Sequence, residues 1–233
     1  MNVKEITQEL IQKSDPGIAE TSARFFKTGP GEYGEGDQFR GIRVPVLRKL
    51  ARNFRKTPLG EVEKLLRSQY HEDRLLALFL LINHYSAADE TGKKNIYNLY
   101  LNNTRYINNW DLVDSSAGQI VGMFLRDKDR TKLYELADSP DLWERRISIM
   151  ATFPYIREND FQDTLKISKK LLTDGHDLIH KGVGWMLRET GNRNMETEEE
   201  FLMKHSREMP RVMLRYAIEK FPEEKRQFYL NRM

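Results

Sequence analysis

An all-α fold is what this sequence predicts, and three observations predict it. Apolar residues recur at three- and four-residue steps through most of the chain, the mark of amphipathic helices. No stretch alternates with period two, so no strand is expected. The charged fraction is 31%, above the usual quarter, which suits solvated helix faces better than buried parallel strands.

The elements follow in order. Leu75, Leu78, Phe79 and Ile82 mark one helix, and Ile96, Leu99 and Tyr100 the next. Leu133, Leu136 and Ala137 mark another, then Trp143, Ile147 and Met150. Leu165, Ile167, Leu171 and Leu172 precede a last clear stripe of Ile179, Val183, Met186 and Leu187. Short breaks separate them at Thr57-Pro58, Asp138-Ser139-Pro140, Asp174-Gly175 and Glu208-Met209-Pro210. Thr57 and Ser139 each precede a proline and read as N-caps with proline at the first helical position. The three tryptophan helices begin near residues 109, 141 and 177, a weak period within the roughly 30–50 residues of helix-pair repeats. The expected architecture is therefore an α-solenoid of HEAT-like helix-pair repeats with a concave basic face, one domain over residues 1–233.

Composition narrows the function. There are no cysteines, so disulfides, thiolate nucleophiles and Cys-ligated zinc are excluded. Of five histidines only His176 and His180 stand four residues apart, and no cysteine accompanies them; no metal and no cofactor is expected. The N-terminal residues lack the apolar core of a signal peptide. The apolar run around Leu75 to Asn83 is far short of the roughly 20 residues that span a bilayer. A soluble cytoplasmic protein, needing no partner subunit and hence a monomer, is the default expectation.

One segment cannot be helical: Thr28-Gly-Pro-Gly-Glu-Tyr-Gly-Glu-Gly-Asp37. It reads as an ordered surface loop. It lacks the Gly-Lys-Ser/Thr ending of a phosphate-cradling nucleotide loop.

The net charge is only +3, so the placement of basic residues matters more than their number. Arg40, Arg43, Arg48, Lys49, Arg52, Arg55 and Lys56 fall within one short segment, with Arg48, Arg52 and Arg55 on a common face. Arg211 and Arg215 lie one turn apart, and Lys181 and Arg188 flank Trp185. Each stripe alone reads as a solvated face. Spread over several helices, they could track a phosphate backbone.

The most telling run is Asn109-Trp110-Asp111-Leu112-Val113-Asp114. Trp110 and Asp114 are four residues apart and so share a helical face. A carboxylate beside an indole is partly desolvated, which changes its chemistry. Asp111 points about 100° away and reads as structural. Ser115 to Gly118 leave open space beside the ring. Farther on, Lys181-Gly-Val-Gly-Trp-Met-Leu-Arg-Glu189 places two glycines inside a helix. Each costs about 1 kcal/mol relative to alanine, tolerable where something large must approach, here near Trp185.

Trp-Asp-x-Val-Asp, Leu-Trp-x-x-Arg and Lys-x-x-Gly-Trp-x-Leu-Arg-Glu, in that order, resemble the signature segments of the AlkD-type DNA alkylation repair proteins, which are HEAT-like DNA glycosylases. The resemblance covers most of the chain. Phe39-x-Gly-Ile-Arg43-x-Pro-x-Leu-Arg48 after the glycine-rich loop is similar to an N-terminal pattern of the wider family. The resemblance implies Asp114 as catalytic carboxylate, Trp110 and Trp185 as aromatic walls at the lesion, and Arg146 as a DNA contact beside them. Some relatives carry tyrosine after Ala-Arg in an N-terminal helix. Here Phe25 follows Ala23-Arg24, which keeps an aromatic contact to DNA and loses a hydroxyl.

The implied partner is double-stranded DNA containing alkylated bases, and the implied reaction is excision of cationic N3- or N7-alkylated purines. Such a base is already a good leaving group. The enzyme must stabilise positive charge on the sugar and position water, which one carboxylate between indole faces can do. A non-catalytic HEAT-like module that binds DNA or a protein partner is the alternative reading.

Overall fold

In the computed structural model, which describes residues 1–231, the chain is helical as expected. Among those residues the one β-type contact is an isolated bridge between Gln38 and Tyr70. The chain packs as two compact units, Met1–Ser116 and a second beginning at Ala117.

The first unit contains α1 (Val3–Gln12), α2 (Pro16–Phe25), α3 (Val44–Asn53), α4 (Leu59–Leu66), α5 (His71–Ala87), α6 (Glu90–Asn102) and α7 (Trp110–Ala117). Its axis is α5, against which α3, α4 and α6 pack. Leu75 through Leu81 are buried without interruption. That explains why the apolar run there is continuous: a helix covered on all sides needs no polar face. Each such buried leucine contributes roughly 1.5–3 kcal/mol by leaving water. The first turn of α5 is buried too, yet it reads His71-Glu72-Asp73-Arg74. All four side chains are partnered. The Glu72 carboxylate accepts the backbone N–H groups of Arg40, Gly41 and Ile42. Asp73 takes a two-pronged ion pair from Arg40 at 2.6 and 2.8 Å. These contacts fix residues 40–42 against α5. Gly41, with φ +79°, lets that strap touch the α2 entry: a Cβ would stand 2.0 Å from the Asp15 carbonyl oxygen.

The second unit contains α8 (Met123–Leu125), α9 (Thr131–Ala137), α10 (Leu142–Met150), α11 (Phe153–Arg157), α12 (Gln162–Lys170), α13 (Asp177–Arg193), α14 (Met195–His205), α15 (Arg211–Ala217) and α16 (Glu223–Leu230). Its axis is α13, 17 residues long like α5, with α10, α11, α12, α14 and α15 packed on it. Consecutive helices pack on one another in both units, α4 on α5 and α9 on α10 among them. A helix-pair repeat requires that arrangement.

The tryptophan helices begin at Trp110, Leu142 and Asp177, close to the expected positions. The caps differ. α4 starts at Leu59, and α10 is capped by Asp141, which accepts from the N–H groups of Trp143 and Glu144. Thr57 and Ser139 are therefore not caps. Ser139 instead bonds Glu144 and the Asp141 N–H, because an acidic cap lies two residues nearer the helix. No helix is long and apolar enough to cross a membrane among the described residues.

Candidate functional site

The first turn of α7 is built by Asn109, whose buried side chain accepts from the Trp110 N–H at 2.9 Å. Trp110 and Asp114 follow one turn apart, both half-buried. Ser116 holds the other face of the helix, its hydroxyl 2.9 Å from the Tyr100 hydroxyl of α6. Burial pushes the Tyr100 phenol well above its ordinary pKa, and the nearby Asp114 charge pushes it further. Ser116 and Ala117 are buried, so these two small residues fit α7 to its neighbours, while Ser115 and Gly118 are half-buried.

Trp110 belongs to an aromatic chain that sequence reasoning missed. Its ring lies 5.3 Å from Phe26, nearly parallel at 26°. Phe26 stacks on Phe39 at 5.2 Å, and Phe39 on the imidazole of His71 at 4.6 Å. Phe25 closes the other end, edge-on to Trp110 at 5.9 Å. It is 62% exposed, an unusual position for a phenylalanine and the one sequence-named aromatic that faces solvent fully.

Behind the stack runs a buried polar line. The Nδ1 of His71 lies 2.9 Å from Asp37 and its Nε2 lies 2.8 Å from Asp111. Arg74 donates to the other oxygen of Asp37 at 2.6 Å. Asp37 closes the glycine-rich loop, so that segment ends in a buried ion-pair anchor. Asp111 is thus engaged by His71 inside the unit. The only signal for this network was a run of four polar residues opening the most apolar helix of the chain.

The basic residues separate into two kinds. Arg40 is buried on Asp73 and stacked over Tyr70, which removes it from the exposed stripe. α3 ends at Asn53, so Arg55 does not share that helix with Arg48 and Arg52. Arg43, Arg48, Lys49 and Arg52 are exposed. Arg48 lies over the Phe79 ring at 4.5 Å. Arg43 and Phe25, with Ile18 and Thr21, line an open groove of about 500 Å³ along α2.

In the second unit, Trp143 is buried and belongs to the core. Arg145 pairs with Asp174 at 2.6 Å. Arg146 is buried, and its guanidinium donates to the Leu178 carbonyl beside Gly182. Trp185 is half-buried. Its indole N–H donates to Glu189 at 2.9 Å, and its ring tilts over Phe153 at 6.4 Å. Arg188 is committed to Glu189 and Glu219, and Lys181 to Asp177 at 2.7 Å. Arg211 and Arg215 are exposed on α15. The two glycines that flank Val183 in α13 are explained by close approach within this unit. Gly184 meets the backbone of α15, where a Cβ would stand 2.5 Å from the Met213 carbonyl oxygen, and Gly182 meets Arg146 at 3.1 Å.

Among the described residues, no group of three or more His, Asp or Glu could hold a metal ion. A family model described as DNA alkylation repair enzyme matches residues 6–221. No curated protein matches the chain. The solved structure titled "Predicted DNA alkylation repair enzyme from Enterococcus faecalis" is similar in fold, with a TM-score of 0.70 at 16% identity over 91% of this chain and 98% of that one. The ordered tryptophan segments, the all-helical fold and a family match across nearly the whole chain converge: this protein belongs to the DNA alkylation repair enzyme family.

Proposed function

We propose that this protein is a DNA glycosylase that excises cationic N3- or N7-alkylated purines from duplex DNA. The observation that carries the reading is the division of labour on α7. Asp111 is hydrogen-bonded to His71, and Asp114 lies half-buried one turn from the indole of Trp110. A single carboxylate beside an aromatic surface suits this substrate. The glycosidic C1′–N bond breaks and its electron pair neutralises the cationic purine. Asp114 stabilises the positive charge that develops on the sugar, as carboxylates do in glycoside hydrolysis. It also orients the water that adds to C1′ and takes its proton. Indole and phenyl faces favour cationic and sugar surfaces, which gives Trp110 and the exposed ring of Phe25 a role at the DNA. Trp185 is the corresponding aromatic surface of the second unit.

Duplex binding rests on exposed basic residues, chiefly Arg43, Arg48, Arg211 and Arg215. Lys181 and Arg188 contribute only as their ion pairs exchange. Arg146 acts through the α13 start that it holds, since its guanidinium is spent on Leu178. Lesions are selected because alkylation weakens the base pair and charges the base. A monomer acting on double-stranded DNA without a cofactor is the working unit.

The test is incubation of wild type and Asp114→Asn with methylated duplex DNA, scoring released base. Release by wild type and its loss in the variant supports the reading. Undiminished release by Asp114→Asn removes Asp114 from the chemistry. Salt-dependent duplex binding without any release supports the alternative, a non-catalytic DNA-binding module.

A further inference from the structure

His71 opens α5 with its side chain sealed from solvent. Asp37 receives Arg74 on one oxygen and His71 on the other; burial alone would raise its pKa, but the His71 hydrogen bond and the Arg74 charge outweigh it and hold the carboxyl below its ordinary range. Asp111 accepts its own helix's Leu112 N–H on one oxygen and His71 on the other. An ionised carboxylate only accepts hydrogen bonds. A carboxylate at each ring nitrogen therefore requires both nitrogens to donate, and the ring is an imidazolium. It packs against both Phe39 and Phe26, at 4.6 and 4.9 Å, in a triangle closed by the 5.2 Å contact of those two rings, and aromatic faces favour such a cation. Phe26 then stacks on Trp110.

We infer that His71 is a positioning residue for the first turn of α7: through Asp111 and through Phe26 it fixes the plane of Trp110 beside Asp114. The inference rests on the reading of Trp110 and Asp114 as the reacting site. The groups facing the imidazolium are Asp37 from the loop and Asp111 from α7, with Arg74 of α5 behind Asp37. Glu72 and Asp73 beside it are occupied by residues 40–42. Burial alone would push the ring's pKa down. The two carboxylates outweigh it and hold the value at about 9.

The experiment uses the full chain, wild type and His71→Gln, with Asp111→Asn as a second variant. Nitrogen NMR of the wild-type imidazole at pH 7.5 should show both ring nitrogens protonated until the pH approaches 9. The Trp110 indole N–H resonance, identified by its loss in Trp110→Phe, should shift in His71→Gln and across that titration. Those of Trp143 and Trp185 should stay in place. On methylated duplex, kcat should fall roughly tenfold to a hundredfold with KM little changed, the scale of small misplacements. Asp111→Asn should move the same readouts in the same direction. A neutral ring at pH 7.5, or a Trp110 resonance indifferent to the imidazole titration and to the variants, overturns the inference. If wild type releases no base, the glycosylase reading fails alone, because the NMR readouts involve no DNA.

Discussion

Gly184 faces the backbone of Met213 with no room for a methyl group between them: a Cβ would stand 2.5 Å from that carbonyl oxygen and 2.6 Å from the Cβ of Tyr216. Gly184→Ala gains about 1 kcal/mol of helix propensity, but it must push α15 away from α13. Overpacking of this kind costs about 1–3 kcal/mol. The substitution should lower the thermal midpoint by several degrees. Gly182→Ala meets only the end of the Arg146 side chain, at 3.1 Å, and should cost less. Calorimetry on the two variants decides it; equal midpoints would contradict the account.

His71 ties stability to pH. Its folded pKa of about 9 lies above the ordinary 6.5, so the folded chain holds a proton that the unfolded chain loses first. The stabilisation is complete below pH 6.5 and lost as pH rises through 9, about 3 kcal/mol in all at roughly 1.4 kcal/mol per unit. Denaturant unfolding at pH 6, 7.5 and 9 should show this loss in wild type. His71→Gln should start from a lower stability at pH 6 and lose about 3 kcal/mol less than wild type over that range, keeping only the losses due to other groups.

Glu198 has the opposite chemistry with the same sign. Burial against Gly191, with one carboxyl oxygen unpartnered, raises its pKa to about 9, and the Glu199 charge adds to the shift. The unfolded chain ionises above 4.5 while the folded chain does not, so ionisation draws the equilibrium toward unfolding as pH rises. At pH 7 this costs about 3 kcal/mol relative to pH 4.5. Glu198→Gln should match wild type near pH 5 and exceed it at pH 7. A variant weaker than wild type at both values would show the carboxyl to be a needed partner.

Duplex binding should distinguish exposed from committed cations. Arg43→Ala and Arg48→Ala should each flatten the dependence of log affinity on log salt by about 0.9, the value of one phosphate contact. Arg188→Ala should change it less, since its guanidinium is already shared by Glu189 and Glu219. Phe25→Ala should weaken binding without altering the slope. Titrations at several salt concentrations read all four.

Helix periodicity and the Trp110–Asp114 spacing were legible in the sequence because both are local: they depend on residues three and four apart. The tie of Asp111 to His71, 40 residues away, was not. His71, Asp37, Phe26 and Phe39 were not, because their meaning arises only when a loop, α2, α5 and α7 meet. Arg40 looked like one more surface cation until Asp73, 33 residues away, took it inside. The α13 glycines were legible as sites of close approach, but local sequence does not say what approaches. It is Arg146 at Gly182, α15 at Gly184 and Glu198 of α14 at Gly191, all of the same unit.

The buried imidazolium also sets an order of events during synthesis. Its two carboxylates are contributed 34 residues before it and 40 residues after it. A nascent chain that has emerged only through α6 carries His71 with Asp37 and no Asp111. Its aromatic pile likewise ends at Phe26. The first unit can complete its interior only once the Trp110 turn has left the ribosome, so the segment bearing the proposed reactive carboxylate is also the piece whose arrival locks that unit shut.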